Sequence, residues 1–215
     1  RNILNACNGV FAISDYCRKR ILEINPNAQD KVFTLKNTID TDHFNSDNYL
    51  GFRKTYREEH RIANEQKVIV YCGRLEENKG VYELIEAFKR LEDRTTILMI
   101  IGSSFYMDGK TTTKYINKLK KAGESVKKRI IFTGYIPQSD LPKHYAASDI
   151  AVVPSTCQEA AGNVTIEALS CGLPVVASRR GGIPEYASVE ACSLVECDKN
   201  FISNLQEAIE KIVSD

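Results

Sequence analysis

The chain lacks most of the features that would decide its partners cheaply. Its formal net charge is only +1, so it has no general field for nucleic acid or a membrane surface, and any anion site must be local. Its longest apolar run, Ile97 to Ile101, is far short of the ~20 residues that span a bilayer. The seven cysteines are odd in number and form no CxxC pair. Several, Cys72, Cys171 and Cys192 among them, sit in apolar surroundings as small hydrophobes, which points to a reducing, cytoplasmic setting rather than a disulfide or metal framework. The three histidines, His43, His60 and His144, are isolated, with no HExxH or Cys/His spacing, and are expected as surface or packing residues. There is no internal repeat and no low-complexity segment.

What is present is ample for a core: 43% of the residues are hydrophobic and 27% charged. From Lys67 onward, apolar strand-like runs (67–72, 96–101, 129–133, 149–153, 174–177, 192–195) alternate with helical ones (81–91, 112–122, 139–147, 163–171, 200–213). Val81, Leu84, Ile85 and Phe88 repeat at i, i+3, i+4, i+7, an amphipathic face. Such alternation predicts an α/β, Rossmann-like parallel sheet with helices on both faces, binding its ligand at the carboxyl ends of the strands. Upstream, Ser14 is the expected N-cap of a helix over Tyr16 to Glu23, flanked by strand-like runs 9–13 and 31–35. These pieces cannot close a core alone. Arg1 stands where an initiator Met would, and the opening reads as the interior of a longer protein, so a fragment is expected. A polar stretch with a helix from Tyr49 to His60 is the candidate linker.

Two strand exits carry the chemistry. After the first, Gly73 permits a sharp turn, and Arg74 and Lys79 follow on the loop. Two cations there suit a pyrophosphate; equally, they are solvated charges paired with Glu76 and Glu77. The second exit runs from Pro154 to Tyr186. Glu159 precedes a small-residue turn, Ala160-Ala161-Gly162, and a helix that starts near Gly162 and ends at Cys171, with Gly172 beyond. The small residues leave the helix's first N–H groups open to an anion. Glu167 lies more than a turn inside the helix, so Glu159 and Glu167 read as two separate acceptors for sugar hydroxyls rather than a tight dyad. Alternatively, Glu159 only favours the helix terminus and Glu167 pairs with a lysine. Ser104 to Thr111 falls one residue short of a phosphate loop: serine replaces its first glycine, and Phe105, Tyr106 and Met107 are bulky where phosphate would be wrapped, so a surface loop is expected. Phe132-Thr133-Gly134-Tyr135-Ile136-Pro137 is a strand entering a glycine turn, able to lay backbone along a flat base or to be only a turn.

Four ordered segments together resemble the retaining group-one glycosyltransferases of GT-B fold. They are TLKNTIDTDHF at 34–44, GRLEENKG at 73–80, FTGYIPQSDLPKHYAASDIAVVPS at 132–155, and EAAGNVTIEALSCGLPVVAS at 159–178 followed by GGIPEY. Glu159 and Glu167 match that family's E-x7-E signature. The resemblance implies the C-terminal half of a GT-B fold. Residues 1–45 would be a remnant of the N-terminal acceptor domain, 46–66 a linker helix, and 67–215 the donor-binding domain. It implies that Arg74 and Lys79 hold the donor diphosphate with helix N–H groups from Gly162, Asn163 and Val164. Glu167 would bind ribose hydroxyls, Glu159 would be the catalytic-side contact to the transferred sugar, and backbone near Ile136 would meet the base. The substrate would be a nucleotide sugar, a UDP-sugar foremost, passed with retention to a glycan or lipid-linked acceptor bound by the missing domain. No metal or other cofactor is implied. Any peripheral membrane association would come from that missing domain. Ala161 stands where the family often has Phe, which puts sugar identity in question. A non-catalytic module of the same fold, a sugar phosphorylase and a sugar-nucleotide epimerase are the alternatives.

Overall fold

The computed structural model describes residue 4 and residues 6–104, 113–187 and 190–214. The near-phosphate-loop segment therefore lies, from Phe105 on, outside the described residues.

The first unit is small. Strand β1 (Val10–Ala12), helix α1 (Asp15–Ile24) and strand β2 (Val32–Thr34) form a parallel two-stranded sheet with its helix on one side. Ser14 caps α1 as expected, accepting a hydrogen bond from the Cys17 N–H. Its core is slight, centred on Ala12, Ala28 and Val32. The cross-strand pair Phe11 and Phe33 points away from it, 68% and 51% exposed.

Helix α2 (Leu50–Glu59) follows, and it is docked, not free. Arg57 is buried and reaches Asp149 at 3.3 Å; Arg53 reaches the same carboxylate at 2.7 Å. Tyr56 sinks into the main core and donates to the Met99 sulfur.

The main unit alternates β3 (Val68–Cys72), α3 (Val81–Arg90), β4 (Ile97–Ile101), α4 (Lys114–Ala122), β5 (Ile130–Gly134), α5 (Leu141–Ala146), β6 (Ile150–Val153), α6 (Asn163–Ser170), β7 (Val175–Ser178), α7 (Ile183–Tyr186), β8 (Cys192–Val195) and α8 (Phe201–Val213). Its six strands are all parallel, in the order β5-β4-β3-β6-β7-β8. This is the expected α/β sheet. The two-residue period of the strands sorts the core. Ile69, Tyr71, Leu98 and Ile100 face one way, against α3, α4 and α8. Val68, Val70, Met99 and Ile101 face the other, against α2, α5 and α6. Both faces being covered explains why the strands read as continuous apolar runs. Short α7, within the GGIPEY motif, was not anticipated as a helix. Its four residues are too few for periodicity to register.

The strand order reverses between β3 and β6, whose neighbours diverge and leave a crevice at their carboxyl ends. The loop from β3 crosses this crevice closely. At Gly80, φ is +69°, and a Cβ there would lie 1.8 Å from the Pro154 carbonyl oxygen. Only glycine lets the β3 loop lie down on the exit of β6.

Candidate functional site

Two abutting cavities occupy that crevice. One, of about 470 Å3, is walled by the β3 and β4 exits, the Tyr135–Ile136 turn, Gln138, Val164 and Glu167. The other, of about 370 Å3, is walled by Lys79, Ser155, Glu159, the Ala160–Gly162 turn and Asn163. Cys72, Gly73, Arg74 and Val164 line both. All eight residues singled out in the sequence thus meet in one place: Ile136 and Glu167 on the first cavity, Lys79, Glu159, Gly162 and Asn163 on the second, Arg74 and Val164 between.

Helix α6 points its N-terminus into the second cavity. Its N-cap is Gly162 at φ +88°, and no side chain caps it. Open N–H groups beside a lysine form a place where an anion is stabilised by dipole and charge together. The N-terminus is positioned by the short loop from β6 and by Ile183, which a Cβ on Gly162 would approach to 2.9 Å.

The two glutamates sit in different environments. Glu159 Oε1 accepts from Lys79 Nζ and from Ser155 Oγ, both at 2.6 Å. Burial pushes its carboxyl up, but the hydrogen bonds from Lys79 and Ser155 outweigh burial and hold it below the usual range. Glu167 is 7% exposed and accepts from the Tyr145 hydroxyl at 3.1 Å, and among the described residues no lysine pairs with it. Burial raises its pKa, and the Tyr145 bond only partly offsets that. Burial and the neighbouring Glu167 charge push the Cys72 thiol up to about 12, which keeps it an unreactive wall. One carboxylate is therefore ionised and anchored, while the other is strained by desolvation and open to hydroxyl donors. Arg74 pairs with Glu76 at 2.7 Å and remains partly exposed. Lys79 does not pair with Glu76 or Glu77; it crosses to Glu159. Among the described residues no group of three or more His, Cys, Asp and Glu is gathered as a metal would need, and no helix is long and apolar enough to cross a membrane.

Residues 52–215 match the family model described as glycosyl transferases group 1. The chain belongs to the group 1 glycosyltransferases. Over 220 residues the chain is 27% identical to the putative glycosyltransferase YtcC of Bacillus subtilis, covering 100% of this chain and 54% of that protein. It is 33% identical over 194 residues to the GDP-mannose-dependent alpha-(1-6)-phosphatidylinositol monomannoside mannosyltransferase of Mycolicibacterium smegmatis, covering 86% and 48%. The chain spans about half the length of the curated relatives it matches. Among solved structures it superposes on the glycosyltransferase WaaG with a TM-score of 0.79 at 22% identity, over 95% of this chain and 53% of that one. On Anabaena Alr3699/HepE, determined in complex with UDP and glucose, the TM-score is 0.77 at 21% identity, over 97% and 59%. These likenesses establish the fold, that of part of a GT-B glycosyltransferase.

Several residues of the crevice carry no local signal in the sequence. Tyr145 was seen only inside a motif, yet it is wholly buried and holds Glu167. Cys72 packs against the core as expected and also lines both cavities. Asn37 reaches the second cavity from the first unit, donating to the Asn163 side chain at 2.8 Å. No local signal joins residues 126 positions apart. His144 is buried and stacks beside Phe52 and Tyr56, the packing role expected of it.

Proposed function

We propose that this chain is the donor-binding part of a transferase that takes a hexose from a nucleotide diphosphate, UDP foremost, and passes it with retention to a glycan or lipid-linked acceptor. The observation that carries this reading is the pair of cavities joined at Arg74 and Val164, one apolar and ending in a buried carboxylate, the other cationic and facing an uncapped helix. A nucleoside fits the first: base against the backbone near Ile136, ribose hydroxyls donating to Glu167. The diphosphate fits the junction, bound by Arg74, Lys79 and the N–H groups of Gly162, Asn163 and Val164. The sugar then lies at Glu159, whose carboxylate is ionised and so accepts from sugar hydroxyls near the reacting carbon. Residues 67–215 make up this unit, with 46–66 docked on it as the linker and 1–45 belonging to the acceptor-binding side. The reaction needs no cofactor in this reading. Its rate comes from holding the donor and stabilising the leaving diphosphate and an oxocarbenium-like sugar.

The base is the open half of the proposal, because the relatives include a UDP complex and GDP-mannose-dependent enzymes. Calorimetric titration with UDP and GDP decides it. Saturable binding of UDP is expected, weaker for GDP. Arg74→Ala and Lys79→Ala should each weaken it about tenfold or more, the worth of a charge-assisted hydrogen bond. Absence of binding by either nucleotide, or binding indifferent to both substitutions, sinks the reading.

A further inference from the structure

The acidic turn is held from two sides, by its own unit through Gly182 and by the first unit through Ser14. Its consecutive carbonyls, Glu159 and Ala160, accept long-range hydrogen bonds: Gly182 N–H reaches the first at 2.8 Å, and Ser14 Oγ reaches the second at 2.5 Å, with Cys17 Sγ donating to the same oxygen at 3.4 Å. Ser14 is fully buried and also accepts from Cys17 N–H at 3.0 Å, so its one hydroxyl caps α1 and grips the turn at once. The same Gly181–Tyr186 segment that supplies Gly182 supplies Glu185. Both oxygens of that carboxylate are used: Asp15 N–H donates to one at 2.7 Å and Tyr16 N–H to the other at 2.8 Å. A carboxylate at the N-terminus of a ten-residue helix answers both its free donors and its dipole. The fit is tight, since a Cβ on Gly182 would meet the Ala160 oxygen at 2.4 Å and Ser14 Oγ at 3.0 Å. The contacts close a ring: Glu185 seats α1, α1 presents Ser14, Ser14 fixes Ala160, and Gly182 fixes Glu159.

We propose that Glu185 and Ser14 are positioning residues for sugar transfer, setting the Glu159–Gly162 backbone, and through it the Glu159 carboxylate and the α6 N-terminus, according to where the first unit sits. This rests on the donor-site reading above for its catalytic consequence, but the mechanical coupling stands on its own. A segment carrying acceptor-side structure would thereby report its position directly to the reacting end of the donor site.

Amide hydrogen exchange on this chain tests the coupling. Glu185→Ala is expected to speed exchange about tenfold at Gly182 and Thr165, whose N–H groups bond the Glu159 and Gly162 carbonyls, with β4 amides unchanged. Ser14→Ala, which removes the hydroxyl that caps α1 and donates to Ala160 but leaves Glu185 in place, should act in the same direction and serves as the test if Glu185→Ala does not keep the fold. Faster exchange confined to α1 would show Glu185 to be a mere helix cap and overturn the proposal. In the complete gene product, UDP release from UDP-glucose per UDP-binding site should fall about tenfold to a hundredfold in Glu185→Ala, as small misplacements do, while UDP affinity stays within about threefold. Turnover equal to wild type with the exchange effect present would overturn the positioning role. Lys79→Ala, by contrast, should lose UDP binding without faster exchange at Gly182; retained binding there counts against the donor reading alone.

Discussion

Glu167 carries its charge at a cost to the folded protein. Burial raises its pKa, so the folded chain binds a proton more readily than the unfolded one between the ordinary carboxylate range and the raised value. Stability therefore falls as pH rises through that window, and at neutral pH the ionised carboxylate is a net penalty. Glu159 has the opposite sign: Lys79 and Ser155 hold its pKa down, so its contribution is present at neutral pH and lost as pH falls through that depressed value. Glu167→Gln removes the penalty and keeps an acceptor for the Tyr145 hydroxyl. It should melt higher than wild type at pH 7, with the gain shrinking as pH falls into the ordinary carboxylate range. It should also bind UDP about fivefold to tenfold more weakly, because a neutral acceptor bonds hydroxyls less well than a carboxylate. Melting curves across pH with parallel titrations read both. A lower melting temperature at pH 7 would contradict the burial argument.

At the scale of elements, α2 shows why a polar stretch need not be a free linker. Its charged residues include Arg53 and Arg57, and both converge on Asp149 at the start of β6, whose other role is to accept the Val68 N–H at 2.7 Å. Arg57 further bonds the Ala63 and Gln66 carbonyls, closing the turn into β3. Asp149→Ala leaves a buried guanidinium and the first N–H of β3 without their carboxylate, and should cost about 3 kcal/mol, the low end for a broken buried pair because Asp149 keeps some exposure. Urea unfolding checks this, and a loss below about 1 kcal/mol would mean α2 is held by its apolar face alone. The strands and long helices were legible from local texture: the apolar run at 96–101 is β4 at Ile97–Ile101, and the helix expected over 163–171 is α6 at Asn163–Ser170. Buried parallel strands and amphipathic helices write their positions in two- and 3.6-residue periods. The crevice was legible where its residues flank strand exits, as Arg74, Lys79 and Glu159 do. It was illegible where the partner is remote: Glu185 reads as one more acid in GGIPEY until folding brings it to Asp15, 170 positions away.

At the scale of the whole molecule, the two cavities should behave as one site with unequal halves. With a net charge of +1, the molecule offers no diffuse attraction, and affinity for phosphate must come from Arg74, Lys79 and the α6 terminus acting at contact. In the proposed reading a nucleoside fills only the first cavity, a monophosphate reaches the junction, and a diphosphate engages the second. A ligand that binds only the folded chain stabilises it by about 2.7 kcal/mol at a hundred times its Kd. For a chain of this size that raises the melting temperature by roughly 5–10 °C. At equal concentration the shift should therefore climb from uridine to UMP to UDP, with the UMP-to-UDP step the larger and abolished by Lys79→Ala. The step should survive moderate salt better than a surface charge effect, because the Lys79 side chain is only 18% exposed and poorly screened. Equal shifts from UMP and UDP would mean that the second cavity, for all its open N–H groups and its lysine, does not read a phosphate. The Lys79–Glu159 pair would then be only a strut between the β3 and β6 exits.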